Sequence, residues 1–338
     1  RPALAPLARL LLRTESIASS KVEGLQLGVR ELARSEARME TGGRVSSTAV
    51  EVMANINAME LAIDDAASAG RFEAVQILAI HRKLMERSPN PTIAGKLRTV
   101  QNWIGGNDYN PCGADFVPPP PERLEGLMGD LCGFLNEETL PPLIQAALMH
   151  AQFETIHPFD DGNGRTGRAL IHVVLRRRGV APAYVPPISV VLAAARERYI
   201  RGLTDYREDR TDTWIENFSA AALRSAILAS DYLTAGDELA RSWRAQLAAS
   251  PGAPRSGAAA WAIIDALPGH PIITAPVAAA ATGRSKPQIY QGLAQLQAAG
   301  VLVPLSEGKR NQSWEAAGLL ELLSGLEAGE EPARRVLD

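Results

Sequence analysis

The run His157-Pro158-Phe159-Asp160-Asp161-Gly162-Asn163-Gly164-Arg165-Thr166-Gly167-Arg168 most constrains this chain, because it breaks a pattern that otherwise favours helices. Pro158, Gly162 and Gly164 cannot continue one regular helix, so the helices expected at 141–156 and 165–178 must meet at this turn. Alanine and leucine dominate elsewhere, aromatic residues make up only 5%, and β-branched runs are short, all of which favour helix. The run also gathers a proton acceptor, carboxylates, flexible backbone and two arginines. Together these form a compact kit for holding a metal-bound polyphosphate.

Further helices are expected within 5–40, punctuated by Gly24 and Gly28, and at 48–67, 71–87, 122–137, 189–201 and 212–247. Residues 95–121 differ. Gly105-Gly106, Asn107-Asp108, Asn110-Pro111 and the prolines 118–121 predict turns around short extended pieces, a small β-hairpin or flap. Ser250 through Gly257 is the clearest linker signal. Beyond it, helices near 258–267, 275–281 and 286–298, then two extended pieces around Glu307-Gly308-Lys309-Arg310, predict a winged-helix-like unit. The expected class is all-α, divided as N-terminal helical region 1–90, core and flap 91–249, linker 250–257, and winged-helix-like domain with tail 258–338.

The formal net charge of -3 argues against a globally basic coat for nucleic acid. Cys112 and Cys132 form neither a disulfide framework nor a metal-spaced cluster, so a reducing, cytoplasmic setting is expected. No stretch looks able to span a bilayer: Ile272 to Ala281 is short and broken by Pro276, and Leu10-Leu11-Leu12 is too short for an export signal.

In the central run, glycines let successive N–H groups point at one anion, and the following helix adds its positive end. Arg165 and Arg168 lie three residues apart, so both can face that mouth, and their forks suit phosphoryl oxygens. Asn163 can donate through its amide. Mg²⁺ needs only one or two carboxylates when polyphosphate and water complete its shell, and residue chemistry leaves Asp160 and Asp161 both open for it. His157 can accept a proton from an incoming hydroxyl. No GxxxxGKS or GxxxxGKT loop is present. A structural charged turn and another anion-binding role are the competing readings.

HPFDDGNGRTGR matches the signature HPFx(D/E)GNGRxxR throughout, and by it the chain resembles the Fic domain family. The resemblance extends over most of 1–245, including the segment from Leu97 to Gly106. It implies a helical core with a flap, and transfer of AMP from ATP to a protein hydroxyl with release of pyrophosphate. It implies His157 as general base, Asp161 as the Mg²⁺-binding carboxylate, Asn163 as a phosphate contact, Gly162 and Gly164 as shapers of the anion nest, and Arg165 and Arg168 as holders of the distal phosphates. Phe159 looks like the apolar anchor of the loop. Asn102, Trp103, Ile104, Gly105 and Gly106 fall in what looks like the target-docking flap, which would bring a Tyr, Thr or Ser of a target protein near His157. Self-modification and a homodimer are further expectations.

Ser19-Ser20-Lys21-Val22-Glu23-Gly24 also matches the family's inhibitory pattern (S/T)xxxE(G/N), in the form with the inhibitory helix at the N-terminus. On this resemblance Glu23 makes a bidentate pair with Arg168 and takes that guanidinium from the terminal phosphate of ATP. Gly24 would allow close approach, and Ser19 would steady the helix or the pair. Removal of AMP, in which such a glutamate can take part, and transfer of another phosphate-containing group are the enzymatic alternatives.

His150 reads as a structural residue, His172 as core packing, and His81 and His270 as lacking persuasive partners. Residues 258–315 hold four Lys or Arg against three Asp or Glu, so protein docking or a structural role is favoured there over DNA binding. A non-enzymatic DNA-binding regulator would leave the central run unexplained.

Overall fold

The structure is a computed structural model and describes residues 4–40, 42–107, 109–305 and 312–332. Asp108 of the flap and the Glu307-Gly308-Lys309-Arg310 turn lie outside the described residues. The first part of the chain runs α1 (Leu4–Val22), α2 (Val29–Glu40), α3 (Ser47–Leu61), α4 (Ala74–Met85), α5 (Leu124–Leu135), α6 (Pro142–Ile156), α7 (Asn163–Arg177), α8 (Ile188–Ala194), α9 (Arg196–Arg207) and α10 (Thr211–Ala249). The helix expected at 48–67 is realised as α3, started by the Ser46 cap and widened at its end into a π-helical turn, Ala62–Ala66.

Helix α6 carries buried residues around most of its circumference, which suits a helix enclosed on all sides. It packs against α5, α7, α9 and α10, so its C-terminal end opens inside the assembly of helices. Helix α7 starts at Asn163, two residues earlier than the expected 165, so Asn163 and Gly164 belong to its first turn.

The flap is less regular than a hairpin. Ile104 and Phe116 form an isolated antiparallel bridge, with Ile104 N–H donating to Phe116 O at 2.9 Å. Pro118, Pro119 and Pro120 follow at once and have no N–H with which to extend a ladder.

The second part of the chain comprises α11 (Ala259–Ala266), β1 (Ile272–Thr274), α12 (Ala275–Thr282), α13 (Lys286–Ala298), β2 (Leu302–Pro304), β3 (Ser313–Ala316) and α14 (Leu319–Glu327). The strands form an antiparallel sheet in the order β1-β3-β2, with Ile273 opposite Trp314 and Leu302 opposite Ala316. Residues 250–257 turn the chain back so that this part packs against α1, α2 and α10, and one apolar cluster runs through both parts. Arg30 of α2 contacts Glu315 at 2.8 Å and Glu321 at 2.7 Å.

Glu327 links the two parts at the junction of α1 and α2. It accepts the Val29 N–H at 3.0 Å, one of the donors a helix start leaves unpaired, and lies 2.5 Å from Lys21 Nζ. It therefore clasps the end of α1 and the start of α2. Glu327→Ala strands both partners, and the expected loss is about 1–3 kcal/mol of unfolding free energy, measured as a lower urea midpoint at unchanged m-value.

Candidate active site at the start of α7

The chain leaves α6 at His157, whose backbone is left-handed with φ 46 and ψ 61, a region few non-glycine residues occupy. That reversal drives Phe159 into the core, where its ring stacks on His81 at 3.7 Å between centroids and 4° between planes. Asn163 then staples the loop shut: its Oδ1 accepts the Phe159 N–H at 2.9 Å and its Nδ2 donates to Phe159 O at 2.8 Å. Its side chain thereby braces the loop, and these bonds use one of the two Nδ2 hydrogens. Gly162 caps α7 with φ 78, and a Cβ there would also press on Met85 Sδ at 3.0 Å. Gly164 has no such backbone requirement. It is needed for space, since a Cβ would sit 2.0 Å from Glu23 Oε1.

His81, for which sequence reasoning found no partner, is the second brace. Its Nδ1 accepts the Gly95 N–H at 3.0 Å, which puts the ring proton on Nε2 to donate to Asp161 O at 2.9 Å. Burial pushes its pKa down to about 4, so it holds the loop as a neutral ring. With its main chain held, Asp161 turns its carboxylate outward at 63% exposure, where Oδ1 accepts the Gly162 N–H at 2.5 Å and lies 3.5 Å from Arg165 Nη2. An exposed carboxylate at the mouth of a helix start fits Mg²⁺ whose remaining ligands come from polyphosphate and water. Among the described residues no group of three or more His, Cys, Asp or Glu could hold a metal.

The two arginines have different partners. Arg165 is buried with its guanidinium 3.8 Å from Glu51 and 3.5 Å from Asp161. Arg168 is only 1% exposed and points at α1. Its Nε donates to Ser19 Oγ at 2.9 Å, and its Nη2 donates to Ser19 O at 2.7 Å and to Glu23 Oε1 at 2.6 Å. The fork is shared between Ser19 and Glu23, so the expected bidentate Glu23–Arg168 pair is a single contact. Burial alone would raise the Glu23 carboxyl, but the charge and hydrogen bond of Arg168, with Arg165 and His157 behind, hold it below its ordinary value. Gly24 turns the chain with φ 87 and has open space where a Cβ would go. Its role is the turn and not the close approach expected of it.

Glu15, Ser19 and Glu23 recur every four residues on α1 and the turn after it, as Gly164, Arg168 and His172 do on α7. The two rows meet in register. Glu15 Oε1 pairs with His172 Nε2 at 2.9 Å and accepts the Ser189 hydroxyl at 2.6 Å, and Oε2 accepts the Ser189 N–H at 2.7 Å. Sequence reasoning passed over Glu15, although the four-residue spacing that leads from Ser19 to Glu23 also leads back to it.

On the other side of the loop, Arg98 ties the flap to His157. It is 2% exposed, its Nε donates to His157 O at 2.9 Å, its N–H donates to Pro158 O at 3.0 Å, and its Nη2 meets Pro119 O. Asn102 adds a bond from Nδ2 to Phe159 O at 3.1 Å. Trp103 donates from Nε1 to Asn107 O at 2.6 Å, Ile104 makes the bridge, and Gly105 and Gly106 are exposed at the turn beyond it. His150 is fully buried against Tyr199 Oη at 2.8 Å.

Burial, followed by the charges of Arg207 and Arg98, pushes His157 down to about 4, and burial also pushes His150 to about 3. Together with His81, three histidines thus stay neutral in the folded chain where the unfolded chain, with an ordinary value of 6.5, takes up protons. Burial raises Glu154 to about 7 from 4.5, which opposes them by one proton. Between pH 6.5 and about 5 unfolding should therefore take up a net of about two protons, so stability rises with pH and is lost on acidification. Urea midpoints across that window test the sign. A midpoint that rises on acidification would contradict it.

Residues 71–175 match the Fic/DOC family, and residues 2–64 match the Fic/DOC family N-terminal region. The chain is 33% identical over 130 residues to protein adenylyltransferase fic-1 of Caenorhabditis elegans, covering 38% of this chain and 22% of that protein. It is 28% identical over 244 residues to protein adenylyltransferase Fic of Drosophila willistoni, covering 68% of this chain and 47% of that protein. It thus spans less than half the length of these curated relatives. A crystal structure of a Fic family protein from Desulfovibrio desulfuricans shares the fold over 92% of this chain and 87% of that one, with a TM-score of 0.53 at 24% identity. A Fic-domain protein from Bacteroides thetaiotaomicron covers 64% of this chain and 85% of its own, with a TM-score of 0.53 at 23% identity. Residues 71–175 thus form a Fic/DOC family domain, preceded over 2–64 by that family's N-terminal region, in a chain whose fold is shared with a solved Fic family protein.

Proposed function

We propose that the chain is a protein adenylyltransferase, moving AMP from ATP to a Tyr, Thr or Ser hydroxyl of a target protein or of itself and releasing pyrophosphate, and that Glu23 restrains it. The names of the matched relatives support the activity. The observation that carries the restraint is the buried Arg168 fork, engaged by Ser19 and Glu23 beside Gly164 in the first turn of α7.

In this reading the positive start of α7, with Arg165 and Arg168, binds the distal phosphates. Asp161 would hold Mg²⁺, which offsets phosphate charge when bound. His157 accepts the proton of the incoming hydroxyl, whose oxygen attacks the α-phosphorus as the bond to pyrophosphate breaks. The flap from Asn102 to Gly106 aligns the target segment, and its Arg98 and Asn102 ties to the His157 loop support that role. Glu23 occupies the Arg168 Nη2 that a terminal phosphate would use, and adds negative charge at the same place.

The reading includes cytoplasmic residence. Among the described residues no helix is long and apolar enough to cross a membrane. We read residues 258–338 as a winged-helix-like unit beyond the 250–257 linker, with a docking or structural role. Its contacts with α1 and α2 through Glu327, Glu315 and Glu321 support this over DNA binding.

Labelled ATP, Mg²⁺ and candidate proteins incubated with purified variants test the proposal. Glu23→Gly should raise AMP incorporation about 10-fold or more, the loss of a competing charge-assisted contact. His157→Ala and Arg168→Ala in that background should lower it by roughly 100-fold or more. Equal rates for wild type and Glu23→Gly at saturating nucleotide and target would remove the restraint, and a mass increment other than AMP would remove the transfer reaction.

A further inference from the structure

Beneath the catalytic loop lies a polar slot that the mechanism above leaves unused. Glu154, in the last turn of α6, is 5% exposed, and its Oε1 is buried without a hydrogen-bond partner. His157 Nδ1 is likewise buried without a well-formed hydrogen bond, its ring within the influence of the Glu154 main chain, and it lies 3.9 Å from Glu154 Oε2. The left-handed turn at His157 folds the ring back over its own helix, which brings residues three apart to face each other. Gly167 keeps the slot open from the α7 side, since a Cβ there would stand 2.6 Å from Glu154 Oε1.

A buried carboxyl with one oxygen unpartnered, whose other oxygen faces His157 Nδ1 across a gap slightly too long for a hydrogen bond, forms with that nitrogen a pair that closes with a small shift. We propose that Glu154 is a positioning residue for His157: its carboxylate accepts the Nδ1–H, leaving the Nε2 lone pair directed at the target hydroxyl. The inference rests on His157 being the proton acceptor of the proposed reaction. In the step, the hydroxyl proton passes to Nε2, the Nδ1–H stays on the ring, and the charge of the resulting imidazolium is balanced by Glu154. A lone His157 with its pKa at about 4 is a poor base near neutrality, and an ionised carboxylate at Nδ1 raises its basicity.

Several charged or titratable groups face this carboxyl. His150 shares α6 with it and His157 follows that helix, Arg168 comes from α7, Tyr199 and Arg207 from α9, and Glu23 from the turn after α1. Burial holds Glu154 at about 7, so the carboxylate form gains ground as pH rises through neutrality. Release of Glu23 from Arg168 leaves that cation nearer to alone with Glu154, which favours ionisation of Glu154 just as the site becomes competent.

The test uses the full chain in the Glu23→Gly background. Glu154→Gln keeps the volume and loses the charge. It should lower kcat for AMP transfer by ~10-fold or more, leave KM for ATP within about twofold, and abolish the rise of kcat with pH that ionisation of Glu154 produces, a rise placed below neutral pH by the loss of Glu23. Gly167→Ala, which displaces the same carboxylate, should lower kcat in the same direction. Nitrogen NMR of labelled histidine should find His157 in the parent protein with its proton on Nδ1, a readout that needs neither activity nor a folded variant. An unchanged pH profile in a folded Glu154→Gln protein, or the proton found on Nε2 in the parent, would overturn the proposal. If His157→Ala retains the parent's rate, it is the assignment of the base that fails, and the tautomer still decides the role of Glu154.

Discussion

A guanidinium cannot be buried without partners, and the rest of this site follows from that constraint at Arg168. With 1% of its surface exposed, Arg168 needs acceptors, and α1 supplies the Ser19 hydroxyl, the Ser19 carbonyl and the Glu23 carboxylate. Any polyphosphate bound at the start of α7 offers oxygens to the same fork. The exchange is therefore between two anions for one buried cation. Glu23, with 37% of its side chain exposed, is the partner that can leave without unpacking the helix behind it.

That helix is firmly set. Glu15 is saturated by His172 and Ser189 one turn above Ser19, Asn55 donates to Ser16 O at 2.8 Å, and Arg196 donates to Val22 O at 3.0 Å. Glu327 reaches Lys21 and Val29 on either side of the Glu23–Gly24 turn. The turn itself carries fewer ties. Release of Glu23 then needs only a local change at the turn, while Ser19 stays on Arg168.

Much of this was legible in the residues because it rests on local spacing. The breaks at Gly24, Gly28 and the central run mark the observed end of α1, start of α2 and end of α6, and the four-residue step from Ser19 to Glu23 places both on the face that meets α7. Contacts across long stretches of chain were hidden. His81 lies eighty residues before the Asp161 carbonyl it holds, and nothing in its neighbourhood hints at Phe159 stacked on its ring. Asn163 read only as a phosphate donor, and only the folded loop shows that its amide also braces Phe159. Gly164 read as a shaper of the anion nest and Gly167 drew no reading, yet each answers to a carboxylate arriving from another helix or turn. The flap was visible as turns, but the prolines that limit it to one bridge were read only as loop markers.

The central claim is that Glu23 competes with the terminal phosphate for Arg168 and not with the nucleotide as a whole. Calorimetric affinities for ATP and for AMP, measured on wild type and Glu23→Gln with Mg²⁺ present, separate the two. The account predicts that Glu23→Gln tightens ATP binding and leaves AMP binding unchanged. Equal tightening for both nucleotides, or none for ATP, would contradict it.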